Sequence, residues 1–211
     1  MSLDPIATAD LVTREVRTGQ REGAPTRIVV ARRSYATDQA DLWDAVTNPE
    51  RIPRWFLPVT GELRPGGHYQ LEGNASGSVE ACDEPRSFTV TWEFAGQVSW
   101  LTVSLSTATG GTELVISHEA PVDPTFWEQY GPGATGVGWD LGLLGLGLHL
   151  DAGEAVDPGE ARAWVVSQDG TAFVRHAATA WADAAVADGD DPERGRAAAG
   201  NTVTFYTVPP E

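Results

Sequence analysis

The sequence predicts an α+β fold in which an antiparallel sheet of short strands is followed by a long apolar helix. The stretch 87–94 alternates strictly between apolar and polar residues, with Phe88, Val90, Trp92 and Phe94 on one face. Residues 98–107 and 113–120 alternate in the same way. Such alternation is typical of an antiparallel sheet with one buried side. Residues 136–150 form the most apolar run of the chain, and their apolar residues recur at helical spacing.

The long helix predicted at 136–150 carries apolar residues on two nearly opposite sides. On a wheel of about 100° per residue, one stripe holds Trp139, Leu143, Leu146 and Leu150, and the other holds Val137, Leu141, Leu144 and Leu148. The seams between the stripes hold Gly138, Gly142 and Gly145 with His149, and Gly136, Asp140 and Gly147. Because each glycine costs a helix about 1 kcal/mol relative to alanine, these seams indicate places where neighbouring elements approach closely. We expect the sheet to cover one stripe and the helix bearing Phe173 and Trp181 to cover the other.

The other elements are predicted from turn and capping signals. We expect a hairpin of strands 11–18 and 27–35 joined by a long turn-rich loop at 19–25. A helix is predicted from Thr37-Asp38 to Asn48-Pro49, followed by a short helix at 49–56. Further strands are expected at 68–72 and 78–82, a long loop or lid at 121–136, and helices at 158–167, 170–187 and 192–199. Residues 1–10 are expected to be poorly ordered.

The composition excludes several classes of partner and chemistry. There are 30 acidic residues against 14 basic ones, all of them arginine, and the net charge is −16. Such a chain repels phosphate backbones and anionic membrane surfaces, so we expect neither nucleic acid nor a membrane as a partner. The run at 136–150 is also shorter than the ~20 apolar residues of a membrane span. The absence of lysine excludes Schiff-base chemistry, and the lone Cys82 excludes an internal disulfide.

No cofactor or targeting motif is recognised. The pairs Gly136-x-Gly138 and Gly145-x-Gly147 lack the third glycine and the preceding strand of a dinucleotide fingerprint. No two histidines have metal-ligand spacing, so we expect neither a metal nor another cofactor. The N-terminus lacks the basic and apolar regions of a signal peptide, and we expect a cytoplasmic protein.

The order of elements resembles the helix-grip fold of the START-like (SRPBCC, Bet v 1-like) superfamily. Within it, the chain is similar to bacterial homologues of the activator of heat-shock protein ninety ATPase. The residues that carry the resemblance lie at 42–49, 54–56, 63–67, Pro85 with 91–93, 112–118, and Gly138-Trp139 with Leu143 and Leu146. The resemblance implies a helix-grip domain at 27–150, in which a curved sheet encloses a cavity against the long helix. Residues 1–26 then form an N-terminal segment with the first hairpin strand, and 151–211 a helical C-terminal extension on the same core.

The aromatic residues indicate either a ligand pocket or a filled core. The chain has eight tryptophans, and several aromatic side chains are expected to converge between the sheet and the long helix. The predicted ligand-binding residues are Trp55, Phe56, Tyr69, Trp92, Phe94, His118, Trp139 and Leu143. A mostly apolar pocket with few polar groups is typical of small-molecule sites. Both interpretations remain open on the sequence.

His118 is the candidate catalytic residue. It is in phase with Leu114 and Ile116, so it should point inward. A single inward histidine is either a hydrogen-bonded core residue or an acid or base near neutral pH. His149 falls in a glycine seam and is interpreted as a packing or interface residue, whereas His68 and His176 are expected at the surface.

Three functions are compatible with these residues. The first is a non-enzymatic protein that binds an apolar or aromatic small molecule. The second is an enzyme of the cyclase or hydrolase kind that uses His118 with Tyr69. The third is a protein-interaction module that stimulates a heat-shock ATPase, which would require contact with the chaperone. A homodimer is also compatible with the sequence.

Overall fold

The computed structural model describes residues 4–208 and confirms the α+β class. Eight strands form one sheet in the order β1-β2-β8-β7-β6-β5-β4-β3, and the pairings from β3 through β8 are antiparallel. The strands are β1 (Thr13–Arg21), β2 (Ala24–Tyr35), β3 (Val59–Gly61), β4 (His68–Leu71), β5 (Ser76–Asp83), β6 (Ser87–Phe94), β7 (Gln97–Ala108) and β8 (Gly111–Pro121).

Acidic caps begin most of the helices in the described part of the chain. The helices are α1 (Pro5–Ala9), α2 (Gln39–Thr47), α3 (Pro124–Tyr130), α4 (Gly133–Ala152), α5 (Pro158–Val165), α6 (Gln168–Ala187) and α7 (Pro192–Thr207), with a 3₁₀ turn at Ile52–Arg54. An aspartate side chain accepts hydrogen bonds from first-turn N–H groups in α1, α2, α3, α5 and α7. Such caps satisfy N–H groups that have no partner within the helix. The predicted start of α2 at Asp38 is confirmed, since its carboxylate accepts from the Asp41 N–H.

The register of the sheet confirms the alternation seen in the sequence. Opposite residues in β6, β7 and β8 include Val90 with Leu101 and Leu101 with His118. Directly opposite residues share a face of the sheet, so His118 lies on the same face as these buried aliphatic residues. We call this face the inner face.

Three predictions made from turn signals are wrong. The first hairpin has a two-residue turn at Glu22-Gly23 instead of a long loop, and both residues have positive φ, as tight hairpin turns require. The predicted loop at 121–136 contains α3, capped by Asp123, and α4 already begins at Gly133. The last helix continues to Thr207 instead of ending at 199. In 121–136, Pro124 and Gly133 begin helices, whereas this proline- and glycine-containing stretch was expected to be a loop.

The N-terminus is also more ordered than expected. Pro5–Ala9 forms a helix, and Ala9 is completely buried. The rest of the expectation falls on residues 1–3, which lie outside the described part. None of the described helices combines the length and apolarity needed to cross a bilayer.

The chain forms two compact units, each assembled from separated stretches. The first comprises residues up to Ala31, Val122–Leu141 and the chain from Asp157, and the second comprises Arg32–Pro121 and Gly142–Val156. The helix α4 therefore contributes its first part to one unit and its last part to the other. The domain boundaries expected after residues 26 and 150 follow a different division and stay a prediction. The helical nature of the C-terminal extension is confirmed by α5, α6 and α7.

In the first unit, α6 packs against the beginning of α4. The ring of Trp181 is fully buried and lies directly over Gly136, and its Nε1 donates to Asp140 Oδ2 at 2.8 Å. The same carboxylate oxygen accepts from Arg14 Nε at 3.1 Å. Trp181 of α6 thus covers the seam of α4 that holds Gly136 and Asp140, whereas it was expected over an apolar stripe of that helix.

Gly136→Ala is expected to lower the free energy of unfolding by about 1–3 kcal/mol. The added Cβ would overlap the ring of Trp181, which is fully buried. The control is Gly200→Ala in α7, where no atom lies within 4 Å of the new Cβ. That substitution should raise stability by about 0.5–1 kcal/mol, because alanine is the better helix former. Urea unfolding followed by tryptophan fluorescence measures both, and equal effects would contradict the prediction.

In the second unit, α2 and the end of α4 pack on the inner face of the sheet. Trp43 of α2 meets Phe88 edge to face with ring centroids 6.0 Å apart. Leu143 and Leu146 of α4 are at most 1% exposed. The Tyr35 hydroxyl donates to the Leu143 carbonyl at 2.9 Å. This hydrogen bond joins β2 to the last part of α4.

Candidate functional site

The candidate site is the inner face of the second unit at the level of His118. Trp92 and His118 lie in contact there, with ring centroids 5.7 Å apart. Trp92 pairs with Ser99 across β6 and β7, and Leu101 pairs with His118 across β7 and β8. Trp92 is half-buried and His118 is 8% exposed. The structure therefore brings together two of the predicted residues on a face that also bears Ser99 and the buried aliphatic residues Val90 and Leu101.

His118 is held in a short chain of hydrogen bonds. Its Nε2 lies 2.8 Å from Ser99 Oγ, which donates to the Trp92 carbonyl at 3.1 Å. Because a hydroxyl has only one hydrogen, this arrangement favours the tautomer in which Nε2–H donates to Ser99. Burial lowers the pKa of His118 to about 4. The imidazole is therefore neutral at pH 7.

Tyr69 lies on the inner face but uses its hydroxyl within the sheet. It is opposite Gly77 in the pairing of β4 with β5, and its hydroxyl donates to the Thr91 carbonyl at 2.7 Å. Burial, and secondarily the charge of Glu93, raises the pKa of this hydroxyl. Tyr69 thus remains a neutral phenol whose proton is already engaged.

Trp55 and Phe56 lie along a glycine seam of α4. The Phe56 ring is 3.6 Å from the position of a Cβ on Gly142, and the Trp55 carbonyl is 2.7 Å from that of Gly145. Trp55 Nε1 donates to the Ala45 carbonyl at 2.9 Å, which ties this segment to α2. The seam predicted from the glycine spacing is therefore a real place of close approach.

His149 lies in the same predicted seam and is 3% exposed. Its Nδ1 is 2.8 Å from the Glu154 carbonyl. This burial favours packing among the two roles expected for His149, packing or interface. His68 is exposed, as expected, whereas His176 is partly covered and lies 2.6 Å from Asp10.

Two of the predicted ligand-binding residues do not lie at the candidate site on the inner face. Phe94 is 53% exposed, because it ends β6 opposite Gln97 beside the turn at Ala95-Gly96. The expectation that it converges on the buried side of the sheet is wrong for this reason. Trp139 is buried but belongs to the first unit. Leu143 is buried in the second unit, with its carbonyl bound by Tyr35.

The sequence analysis missed three polar residues of the second unit: Ser99, Tyr35 and Arg33. Ser99 is the hydrogen-bond partner of His118, and Tyr35 and Arg33 both donate to the Leu143 carbonyl. The spacing of Arg33 and Tyr35 could have indicated two of them, because residues two apart in a strand share a face of the sheet.

A separate cleft lies in the first unit, among α3, α6 and α7. Its lining residues include Ala178, Ala182 and Ala198, together with Trp127 and Arg194. Its free volume of about 30 Å³ is enough for one or two water molecules. It is far smaller than the few hundred Å³ of a typical small-molecule site. Within residues 4–208, no group of three or more histidine, cysteine or acidic side chains is placed to hold a metal ion.

Solved structures with the same fold support the assignment of the helix-grip architecture. The crystal structure of CalU16 from Micromonospora echinospora is 27% identical, with a TM-score of 0.63 over 81% of this chain and 98% of that one. Its solution structure gives a TM-score of 0.69 over 84% and 97% of the two chains. DynU16, a putative protein in the dynemicin biosynthetic locus, is 19% identical, with a TM-score of 0.56 over 61% and 48%. The protein MLL2253 from Mesorhizobium loti is 24% identical, with a TM-score of 0.54 over 60% and 98%.

The resemblance to the START-like superfamily is thereby confirmed at the level of the fold. No curated protein matches the sequence. A family model described as "Activator of Hsp90 ATPase homolog 1-like protein" matches residues 36–143, about half of the chain, and the chain therefore belongs to this family.

Proposed function

We propose that the second unit binds an apolar or aromatic small molecule on the inner face of its sheet. The observation that carries the proposal is the aromatic pair of Trp92 and His118 on a face that also bears the buried Val90, Leu101 and Ile116. Small-molecule sites are usually apolar surfaces that carry a small number of precisely placed polar groups. Fold and family membership support the same function.

The role proposed for this site is binding without catalysis. An effective general base has a pKa near the working pH, whereas burial lowers the pKa of His118 to about 4. The Tyr69 hydroxyl donates to a backbone carbonyl and the His118 ring is engaged with Ser99. These groups are suited to orienting a ligand rather than to moving protons.

A titration with N-phenyl-1-naphthylamine, a neutral apolar fluorophore, tests the proposal. We expect saturable binding of one molecule per chain with quenching of tryptophan fluorescence. Trp92→Leu should weaken the affinity about tenfold, which corresponds to the loss of one aromatic contact of ~1.4 kcal/mol. The matched control is Trp164→Leu in the first unit, where Trp164 packs on Phe173, and it should leave the affinity unchanged. Absence of saturable binding, or an equal loss in both variants, would contradict the proposal.

The family description favours a second candidate, stimulation of a heat-shock ATPase. The test is the ATP turnover of Hsp90 from the same organism with and without the purified full-length chain. A concentration-dependent increase would support this function. Unchanged turnover at saturating protein would eliminate it.

A further inference from the structure

Arg33 places a buried positive charge in the second unit. The residue is 9% exposed, and its Nη1 donates to the Leu143 carbonyl of α4 at 2.8 Å. The guanidinium carbon lies 4.8 Å from the centre of the Tyr35 ring. Among the described residues, no carboxylate lies within ion-pair distance of Arg33. Within residues 4–208, the hydrogen-bond acceptor of this cation is thus a neutral carbonyl that it shares with the Tyr35 hydroxyl.

One edge of this guanidinium has no partner in the described part of the chain. Elsewhere in the protein, the edge formed by Nε and Nη2 grips a carboxylate with both nitrogens. Arg86 holds Asp83 in this way at 2.8 Å and 2.8 Å, and Arg17 holds Glu15 at 2.6 Å and 2.8 Å. In Arg33, Nε is buried without an acceptor, and only Nη1 of the opposite edge is bonded. The free edge matches the two oxygens of a carboxylate or sulfonate.

The helix is shaped to admit the guanidinium. Gly147 lies beside it, and a Cβ at this position would be 2.5 Å from Nη2. Any other residue would push the cation away from α4. A buried charge without a counterion destabilises a fold, and an apolar side chain of similar volume would be more stable there. Arg33 and its glycine therefore indicate a purpose other than stability.

We propose that Arg33 anchors the anionic group of the ligand, so that the molecule bound by the second unit is an apolar or aromatic acid. This inference rests on the function proposed above, since it names the class of the same ligand. β2, which carries Arg33, is the neighbour of β8 in the sheet. Gly111 of β8 lies against the Tyr35 carbonyl, which places Arg33 near Leu114, about 13 Å along β8 from His118. The apolar body lies against the inner face, and its carboxylate or sulfonate accepts from Nε and Nη2. The net charge of −16 repels anions, so a preference for an acidic ligand requires such a local cation.

Two fluorophores that differ in one group test the inference. 8-Anilinonaphthalene-1-sulfonate has the skeleton of N-phenyl-1-naphthylamine with one added sulfonate. By isothermal titration of the full-length chain, the sulfonate should bind at least tenfold more tightly, as expected for a charge-assisted hydrogen-bond pair. Equal or weaker binding of the sulfonate by the unchanged protein would overturn the inference without any variant being needed.

Substitutions at Arg33 then locate the effect. Arg33→Gln keeps a donor for the Leu143 carbonyl and should remove the preference for the sulfonate, with the affinity for the neutral probe changing less than twofold. Arg33→Lys should retain most of the preference. Arg32→Met, a matched loss of charge at the adjacent position, should leave both affinities unchanged. A preference that survives in Arg33→Gln would overturn the inference, whereas failure of both probes to bind the unchanged protein would overturn the proposed function itself.

Discussion

Arg14→Met is expected to lower the free energy of unfolding by about 3–5 kcal/mol, the usual cost of removing one partner of a buried ion pair. Arg14 Nε lies 3.1 Å from Asp140 Oδ2, and the two side chains are 5% and 0% exposed. Arg14 also donates to the carbonyls of Val12 and Ala9. Methionine fills a similar volume but leaves the Asp140 carboxylate buried without its cation and releases the two carbonyls.

Urea unfolding of three variants measures this effect. Arg175→Met, which removes an exposed arginine from α6, is the matched control and should change stability by less than ~0.5 kcal/mol. The double variant Arg14→Met with Asp140→Asn should be more stable than Arg14→Met alone, because the buried charge has been removed together with its partner. A loss below ~1 kcal/mol in Arg14→Met would show that the ion pair contributes little.

The alternation of apolar and polar residues predicted the sheet and its buried face. The alternation of residues 87–94 and 113–120 placed Val90 and His118 on one face, and the register confirms it. This information is local, because successive side chains of a strand point to opposite faces whatever else the chain does. It does not reveal where a strand leaves the covered region, which is why Phe94 was expected inside and is exposed.

The glycine seams of α4 show the limit of the same reasoning. The spacing predicted that neighbours approach closely, and three glycines do lie against Trp181, the Trp55 carbonyl and Arg33. Which groups fill the seams depends on residues that are distant in sequence. No local pattern pairs Arg33 with Gly147, so the buried cation became visible only when the strand and the helix were seen together.

Turn chemistry was the weakest guide. Glu22 adopts a φ of 51°, an uncommon conformation for a residue with a side chain. A two-residue turn at Glu22-Gly23 was therefore not expected from the residue types. The start of α3 could have been predicted, because Asp123 precedes Pro124 at the first helical position, as in α1, α5 and α7. The combination of an aspartate cap with proline in the first turn is a start signal, and it is used repeatedly in this chain.

The stability of the protein is expected to fall as the pH drops from about 6.5 to about 4, because His118 is buried in its neutral form. Its pKa is about 4 in the folded protein, against 6.5 for an unperturbed histidine. Between these values the unfolded chain binds a proton that the folded chain does not, so acidification favours unfolding. The contribution is absent above pH 6.5 and reaches a loss of about 3 kcal/mol near pH 4. It does not grow further below that pH, since both states are then protonated.

This expectation is tested by measuring the free energy of unfolding of the unchanged protein and of His118→Gln at intervals from pH 4 to pH 8. His118→Gln cannot titrate, so subtracting its profile from that of the unchanged protein cancels the carboxylates and leaves the histidine. The difference should be flat above pH 7 and fall by about 3 kcal/mol toward pH 4. A flat difference for His118→Gln would mean that the imidazole is as easily protonated in the folded protein as in water, and the site would then have to be more open than its 8% exposure indicates.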